Sequence, residues 1–451
     1  MDVLTPDETS FSRRALGTAL ASLGVGAGVG LAAVRSLGFT RLAALVLLAF
    51  GAAFAGRTLL SVLVASAPRR PPTADGPLPT VSVLVTAYNE ADVLADTVDA
   101  CRSLDYPDER LEVLVGYESA STDGTAALAR SLADDDPLVR AVAREGAPAG
   151  KAAATNALLE EATGEVVASL DADQRPAPDA LRRAVSWLGV ENVQCVKGRC
   201  FGTNSDASLV ALCATVERAV AERVEFYARD RLGGFTLFTG GQAFFRADAL
   251  DRLGSFDESV LLEDLDMAYR IARAGGAVSV DPGIVTLEEN PTALGAWWHQ
   301  RKRWARGGMQ VARRYLGRGL LSGPPSLPAR ADFAGTFGAL LVLPALALAA
   351  PGTVAGLWRW GATAVATPQG SAPALGILVA TLLTPILAVY ATFALDRRQG
   401  YHHDTREYVA PFLLWPYFAL QSAAVVAAAV EEFVARAPTV YVTSATGDSE
   451  G

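Results

Sequence analysis

Apolar residues in this 451-residue chain are gathered into long blocks that carry almost no charge. Ala15–Val34 holds none and is rich in Gly and Ala, and Leu42–Ser66 is broken only by Arg57. Phe333–Leu357, Ala374–Leu395 and Val409–Val430 repeat the pattern near the C-terminus. Each block approaches the ~20 apolar residues needed to cross a hydrocarbon layer. Buried helices of a soluble protein rarely run so long without charge, so the blocks predict a multi-pass membrane protein. Arg13-Arg14 ahead of the first block resembles a secretory or twin-arginine leader, but a second apolar block follows where a polar mature terminus would begin. Arg57 is costly in lipid and is expected to face another helix or to snorkel.

Between the blocks lies a mixed region bounded by two Pro-rich linkers, Ala67–Pro79 and Ser322–Arg330. Short apolar runs at Val81–Thr86, Val113–Val115 and Val166–Leu170 read as buried strands. They alternate with helical spacing at Ala91–Ser103, Thr125–Leu132 and Lys151–Ala162, which predicts an α/β fold with a largely parallel sheet. The expected organisation is a tail at 1–14, two spans within 15–66, a linker at 67–79 and an α/β domain over 80–295. A basic amphipathic segment at 296–321, about three spans within 333–430 and a polar acidic tail at 431–451 follow. Segment 296–321 mixes Trp297, Trp298 and Trp304 with seven basic residues and no acid, a composition suited to the headgroup layer. Arg13-Arg14, Arg69-Arg70 and the Arg-bearing stretch Asp396–Glu407 fall on one side if five spans are counted, which places the α/β domain in the cytoplasm. The net charge of −9 disfavours nucleic acid as a partner. Four cysteines in the middle region, without a paired Cys/His set, read as reduced thiols rather than a zinc site.

Polar motifs punctuate this region in order: Ala87-Tyr88-Asn89-Glu90, Ser121-Thr122-Asp123-Gly124-Thr125, Gly150-Lys151-Ala152, Asp171-Ala172-Asp173, Glu263-Asp264 and Gln300-Arg301-Lys302-Arg303-Trp304. Asn89, Glu118 and Asp171 all follow strands, at the carboxyl ends where α/β sheets gather ligands. Asp171 and Asp173 after a strand can place carboxylate oxygens on a divalent cation, and Mg²⁺ or Mn²⁺ suits such donors. Lys151 opens a helix where a phosphate could bind. Asp264 precedes a helix as a free base or as its cap, with Glu263 and Asp266 as rival caps. Arg303 can pair with phosphate oxygens, and Trp304 offers a face for a sugar ring.

Taken together these motifs resemble the family 2 glycosyltransferases, in the membrane-integrated branch that includes cellulose, chitin and hyaluronan synthases and ceramide glucosyltransferases. The resemblance covers roughly residues 80–315. It implies a GT-A, Rossmann-like nucleotide-sugar-binding domain on the cytoplasmic side, joined to an α-helical transmembrane region in the cell membrane. It assigns Ala87, Tyr88, Asn89, Glu90 and Glu118 to the nucleotide, Asp171 and Asp173 to metal and diphosphate, and Asp264 to general base. Gln300, Arg303 and Trp304 match the family's Gln-x-x-Arg-Trp motif, with Arg303 on the diphosphate and Trp304 near the acceptor. The paired glycines Gly240 and Gly241 lie near the acceptor segment. Two positions depart from the pattern: Glu118-Ser119 stand where the family has two Asp, and Leu262 replaces a Thr. The implied reaction is metal-dependent transfer with inversion from a UDP-sugar to a lipid or a growing polysaccharide. A non-catalytic sensor or scaffold that binds nucleotide sugar is the alternative. A transporter is disfavoured because no Gly-x-x-x-x-Gly-Lys-Ser/Thr loop is present.

Overall fold

The computed structural model describes residues 2–4, 37–67, 69–73, 76–319, 325–341, 368–437 and 440–442. Most of the tail at 1–14, the first expected span at 15–34, the second half of the block at 333–357 and the end of the acidic tail lie outside the described residues.

The α/β domain is organised on an eight-stranded mixed sheet. Its strands are β1 (Val81–Ala87), β2 (Leu111–Glu118), β3 (Val139–Arg144), β4 (Val166–Asp171), β5 (Arg175–Pro176), β6 (Val193–Gly202), β7 (Ala243–Arg246) and β8 (Ala277–Glu288), in the spatial order β3-β2-β1-β4-β7-β6-β8-β5. All of β1 is buried, as expected of a parallel strand covered on both faces. Strands β3, β2, β1 and β4 are parallel, with α2 (Ala91–Arg102), α3 (Thr125–Asp135) and α4 (Lys151–Glu161) as crossovers. These strands and helices agree with the sequence pattern to within a few residues. Beyond β4 the sheet changes character: β7 is antiparallel to both neighbours, and β6 runs parallel to β8 with two register shifts. Register aligns Ala87 with Tyr117 and Thr86 with Asp171, so the loops after β1, β2 and β4 emerge together at one edge.

Two further elements bring charge to that edge. Helix α6 (Leu209–Val220) runs through a π-helical turn at Ala221–Glu225 into α7 (Phe226–Arg231). Such a turn widens the helix and often marks a functional site. After the short α8 (Ala247–Leu253), α9 (Glu263–Arg273) opens on the Glu263-Asp264 pair, and α10 (Leu294–Gly319) carries the Gln300–Trp304 motif. The tryptophans expected among headgroups are placed differently: Trp297 and Trp298 are buried inside the protein, packed with Tyr417 and Phe393. Burial in a protein interior satisfies their apolar area as well as lipid does.

Three described helices contain stretches long and apolar enough to cross a membrane: α1 (Leu37–Ala65), α12 (Pro368–Arg398) and the Ala410–Val434 segment built around α13 (Leu414–Ala429). Another helix, α11, occupies 327–341. Helices α1 and α12 pack side by side. Arg57 does face protein: it lies 3.2 Å from Asp332 and 3.7 Å from Glu225. Where α12 ends, Asp396 takes a two-pronged bond from Arg199 of β6 at 2.6 and 2.9 Å, both side chains fully buried, with Arg223 and His403 completing the cluster. This cluster locks the end of the helix to the sheet.

Candidate active site

The loops at the strand ends enclose a cavity of about 450 Å³ between the sheet edge and helices α6, α9, α10 and α11. Of the residues singled out from the sequence, Ala87, Tyr88, Glu90, Glu118, Lys151, Asp171, Asp173, Gly240, Asp264, Gln300, Arg303 and Trp304 line it. Asn89 and Gly241 do not.

Asn89 has a job in the loop itself. It sits in the left-handed region at φ 54°, which Asn tolerates better than most residues, and its Oδ1 accepts from the Thr122 N–H at 2.8 Å. Thr125 Oγ1 accepts from the Glu90 N–H at 2.8 Å, and Asp123 from the Ala91 N–H at 3.0 Å. The Ser121–Thr125 motif therefore ties the Ala87–Glu90 turn in place. Gly241 is needed for packing, because a Cβ there would run into the Gln174 side chain.

The donor side is built on α4 and β4. Lys151, in the first turn of α4, bonds Asp171 at the end of β4. Asp173 is buried two residues on, while Gln174 accepts from the Asp171 N–H at 3.1 Å and donates to Glu288 at 2.8 Å. Burial pushes the Asp173 carboxyl well above its usual range, and nearby Glu288 and Asp171 push it further. Glu90 is pushed up to about 8 by burial and then by Asp171. Glu118 is buried and pairs with Arg144 at 2.6 Å; burial raises its carboxyl and Arg144 opposes that rise.

Asp264 faces this donor side. Gly240, at φ 70°, marks the junction: a Cβ built on it would lie 3.2 Å from Lys151 Nζ and 3.9 Å from both Asp171 Oδ2 and Asp264 Oδ2. The two carboxylates are thus less than twice that distance apart. Asp264 does not cap its helix in the usual way: Leu262 holds the cap position, and the Asp264 carboxylate accepts from the adjacent Leu265 N–H at 2.7 Å. Asp266 is occupied elsewhere, with Arg270, Arg314 and Tyr315. Burial raises Asp264 to about 7, Glu263 adds to the rise, and Lys151 and Arg303 oppose it. A carboxylate so tuned can take a proton near neutral pH.

The far wall was not legible as a site from the sequence. Arg218 pairs with Glu288 at 2.5 Å and Glu222 at 3.2 Å, and Arg301 pairs with Glu217 at 2.6 Å. All five line the cavity. Glu288 ends strand β8 just as Asp171 ends β4, a signal that could have found it. Charged residues inside the apolar α6 were the other available clue. The Arg301 guanidinium sits over the Trp304 ring, 4.5 Å from its centroid, and the ring also packs on the hydrophobic core. Phe226, Leu262 and Leu340 add apolar surface beside it.

Residues 79–307 match the model of the family described as "Glycosyltransferase like family 2", a stretch of just over half the chain. A β-monoglucosyldiacylglycerol synthase of Synechocystis sp. is 32% identical over 265 residues, covering 57% of this chain and 54% of that protein. A poly-β-1,6-N-acetyl-D-glucosamine synthase of Staphylococcus aureus is 26% identical over 237 residues, covering 51% and 55%. The chain spans about half the length of the curated relatives it matches. Among solved structures, the mannosyltransferase PcManGT from Pyrobaculum calidifontis, in complex with GDP-Man and Mn²⁺, is similar at a TM-score of 0.59 and 28% identity, over 88% of this chain and 99% of that one. The mixed sheet is accordingly of the GT-A type.

Proposed function

The chain belongs to the family 2 glycosyltransferases, and on that premise we propose that it moves a sugar from a nucleoside diphosphate to a neutral hydroxyl of a lipid at the membrane surface, inverting the anomeric centre. The observation that carries this reading is the mixed lining of the cavity. Lys151, Asp171, Asp173 and Asp264 share it with the apolar side chains of Trp304, Phe226 and Leu340. Phe226 comes from α7, which packs on α1, and Leu340 from α11, whose Asp332 pairs with Arg57 of α1. The glycolipid synthase at 32% identity supports the choice of acceptor.

Ten carboxylates line the cavity against four cationic side chains. That balance disfavours an anionic acceptor such as a lipid phosphate. It also fits a divalent cation. Among the described residues no three His, Cys, Asp or Glu side chains gather closely enough to hold a metal unaided. Mg²⁺ and Mn²⁺ need only one or two carboxylates plus substrate phosphates. Asp171 and Asp173 supply hard oxygen donors, and the crowding that raises Asp173 is what a cation would relieve. When bound, the ion would neutralise charge on the departing diphosphate.

The chain's own residues account for the rest. Asp264 accepts the proton of the acceptor hydroxyl as that oxygen bonds to the anomeric carbon. The bond from that carbon to the phosphate oxygen breaks on the opposite face, and the nucleoside diphosphate leaves. Arg303 and Lys151 offset charge beside the leaving group. Glu118 and the Ala87–Glu90 turn bound the nucleotide end. Exclusion of water by Leu262, Leu265 and Trp304 keeps the acceptor, rather than water, as the nucleophile.

A growing polysaccharide is the second acceptor reading, favoured by the poly-N-acetylglucosamine synthase relative. The test is sugar transfer by purified protein in native lipid, with radiolabelled UDP- and GDP-sugars and Mn²⁺ or Mg²⁺, beside Asp264→Asn. Organic-phase label that disappears in the variant supports the lipid acceptor; high-mass aqueous label supports the polymer. Donor binding with neither transfer nor hydrolysis moves the reading to a non-catalytic sensor or scaffold.

A further inference from the structure

A second pocket, of about 680 Å³, opens between the later turns of α10, the end of the Ala410–Val434 helix and the turn that leads into α9. It shares no lining residue with the active-site cavity, and its charge balance is reversed. Arg306, Arg313, Arg314 and Arg436 line it, with Glu432 as the one carboxylate among them. The chain as a whole carries a net charge of −9, so this basic pocket differs in sign from the average surface.

The positive surplus survives when ion pairs are followed outward. Arg306 and Arg313 share Glu432, at 3.0 and 3.3 Å. Arg314 holds Asp257 at 2.6 Å. Asp266 lies 3.3 Å from Arg314, but Arg270 engages it more closely at 2.9 Å. Arg436 has no carboxylate partner among the described residues. Glu432 and Asp257 therefore serve four guanidiniums.

These guanidiniums are also accessible and aimed together. The side chains of Arg313 and Arg314 are 64% and 46% exposed, and Arg436 is exposed. Arg306 is buried beneath them and donates to the Ala437 carbonyl as well as to Glu432. On α10, Arg306, Gln310, Arg313 and Arg314 follow at the three- and four-residue steps that share a helix face. Guanidinium forks bind phosphate oxygens in pairs. The exposed Arg313–Glu432 pair is weakly held, so its donors can turn to such a ligand.

We propose that this pocket binds a phosphate group, separate from the diphosphate of the sugar donor. Two sources share that chemistry, inorganic phosphate and the headgroup of an anionic phospholipid. The lipid has a further contact available, because Phe433 lines the pocket and is 42% exposed, with Val434 beside it 77% exposed. Ser259 and Val260 line the pocket too, and Gln310 accepts from the Leu261 N–H at 3.3 Å while donating to Glu432 at 3.2 Å. A ligand here therefore touches the segment that leads into Glu263-Asp264.

Equilibrium dialysis of the full chain in neutral detergent, without divalent cation, tests this with two radiolabelled probes: inorganic phosphate and dihexanoyl phosphatidylglycerol. The double variant Arg313→Gln with Arg436→Gln alters only exposed side chains, which protects the fold. Arg252→Gln, at an exposed arginine outside the pocket, is the control. The expected result is saturable binding near one probe per chain, weakened at least about 10-fold in the double variant and unchanged in the control. Saturation by the lipid alone assigns the site to a headgroup, and saturation by inorganic phosphate, with or without the lipid, assigns it to the anion itself. Saturation by neither probe overturns the proposal, as does a double variant that binds like the parent. Loss in Lys151→Gln but not in the double variant overturns it as well, by placing the phosphate in the donor cavity. No sugar transfer is measured, so failure of the proposed activity and failure of this site remain distinguishable.

Discussion

Asp264→Asn is expected to abolish transfer and, at the same time, to stabilise the fold at alkaline pH. The carboxyl is buried, and its folded-state value of about 7 lies above the 3.8 of an unperturbed Asp. A raised folded-state value means that the native state resists ionisation. The cost is therefore absent in acid, where both states are protonated, and grows as pH rises until it is complete above pH 7. Linkage gives a penalty on the order of 4 kcal/mol at pH 8 and about 1 kcal/mol at pH 4.5. Asparagine keeps the shape and the acceptor for the Leu265 N–H while removing the charge. Thermal unfolding in nanodiscs should then show the variant several degrees more stable than the parent at pH 8, with the gap nearly closed at pH 4.5. Transfer should fall by roughly 10²–10⁴ through loss of the base, with donor affinity kept. In the parent, kcat/KM should rise with pH, reach half its plateau near pH 7 and level off about one unit higher. A variant that is less stable at both pH values, or a gain that does not depend on pH, refutes the account of a buried, charge-penalised base. Retained transfer refutes the base itself.

Gly240→Ala should cost transfer ~10–100-fold with little change in secondary structure by circular dichroism. The backbone there sits at φ 70° and the new methyl would press on Lys151 between Asp171 and Asp264. Removing divalent cations with a chelator should stop transfer and Mn²⁺ or Mg²⁺ should restore it, with donor hydrolysis following the same pattern; activity that survives exhaustive chelation counts against Asp171 and Asp173 as metal ligands. Arg199→Ala leaves Asp396 buried without its two-pronged partner and should destabilise the protein by about 3–5 kcal/mol, read as a lower unfolding temperature.

The donor half of the site was readable because it obeys local rules. Val81–Ala87, Leu111–Glu118 and Val166–Asp171 are continuous apolar strands that end in polar residues, and strand ends of a parallel sheet converge whatever the rest of the chain does. Asp264 was readable because it opens a helix after an apolar run. The far wall obeys no local rule. Glu217 meets Arg301 and Tyr417 across 84 and 200 residues, and no periodicity encodes such a meeting. The same holds for the Trp297 and Trp298 pair. Composition alone marks them as interfacial, and only the packing of the 410–434 helix shows that protein, not lipid, covers them. Asn89 shows a related limit: a polar residue in a strand-end loop can bond the loop itself, as its Oδ1 does with the Thr122 N–H, and sequence does not separate that from a ligand contact.

The charge balance of the cavity ties these halves together. On the donor side the carboxylates are buried and crowded, which raises Glu90, Asp173 and Asp264. On the far wall the opposite holds: Glu288, Glu222 and Glu217 each have an arginine within 3.2 Å, and Lys197 reaches Glu222 at 3.5 Å. Buried pairs of this kind add little stability, but they remove net charge from the wall at which the proposed lipid acceptor would bind. Crowded carboxylates belong where a cation and a charged donor arrive together, and paired ones where nothing charged arrives. The division of the cavity into those two surfaces is what the proposed transfer from a nucleoside diphosphate to a neutral lipid hydroxyl requires.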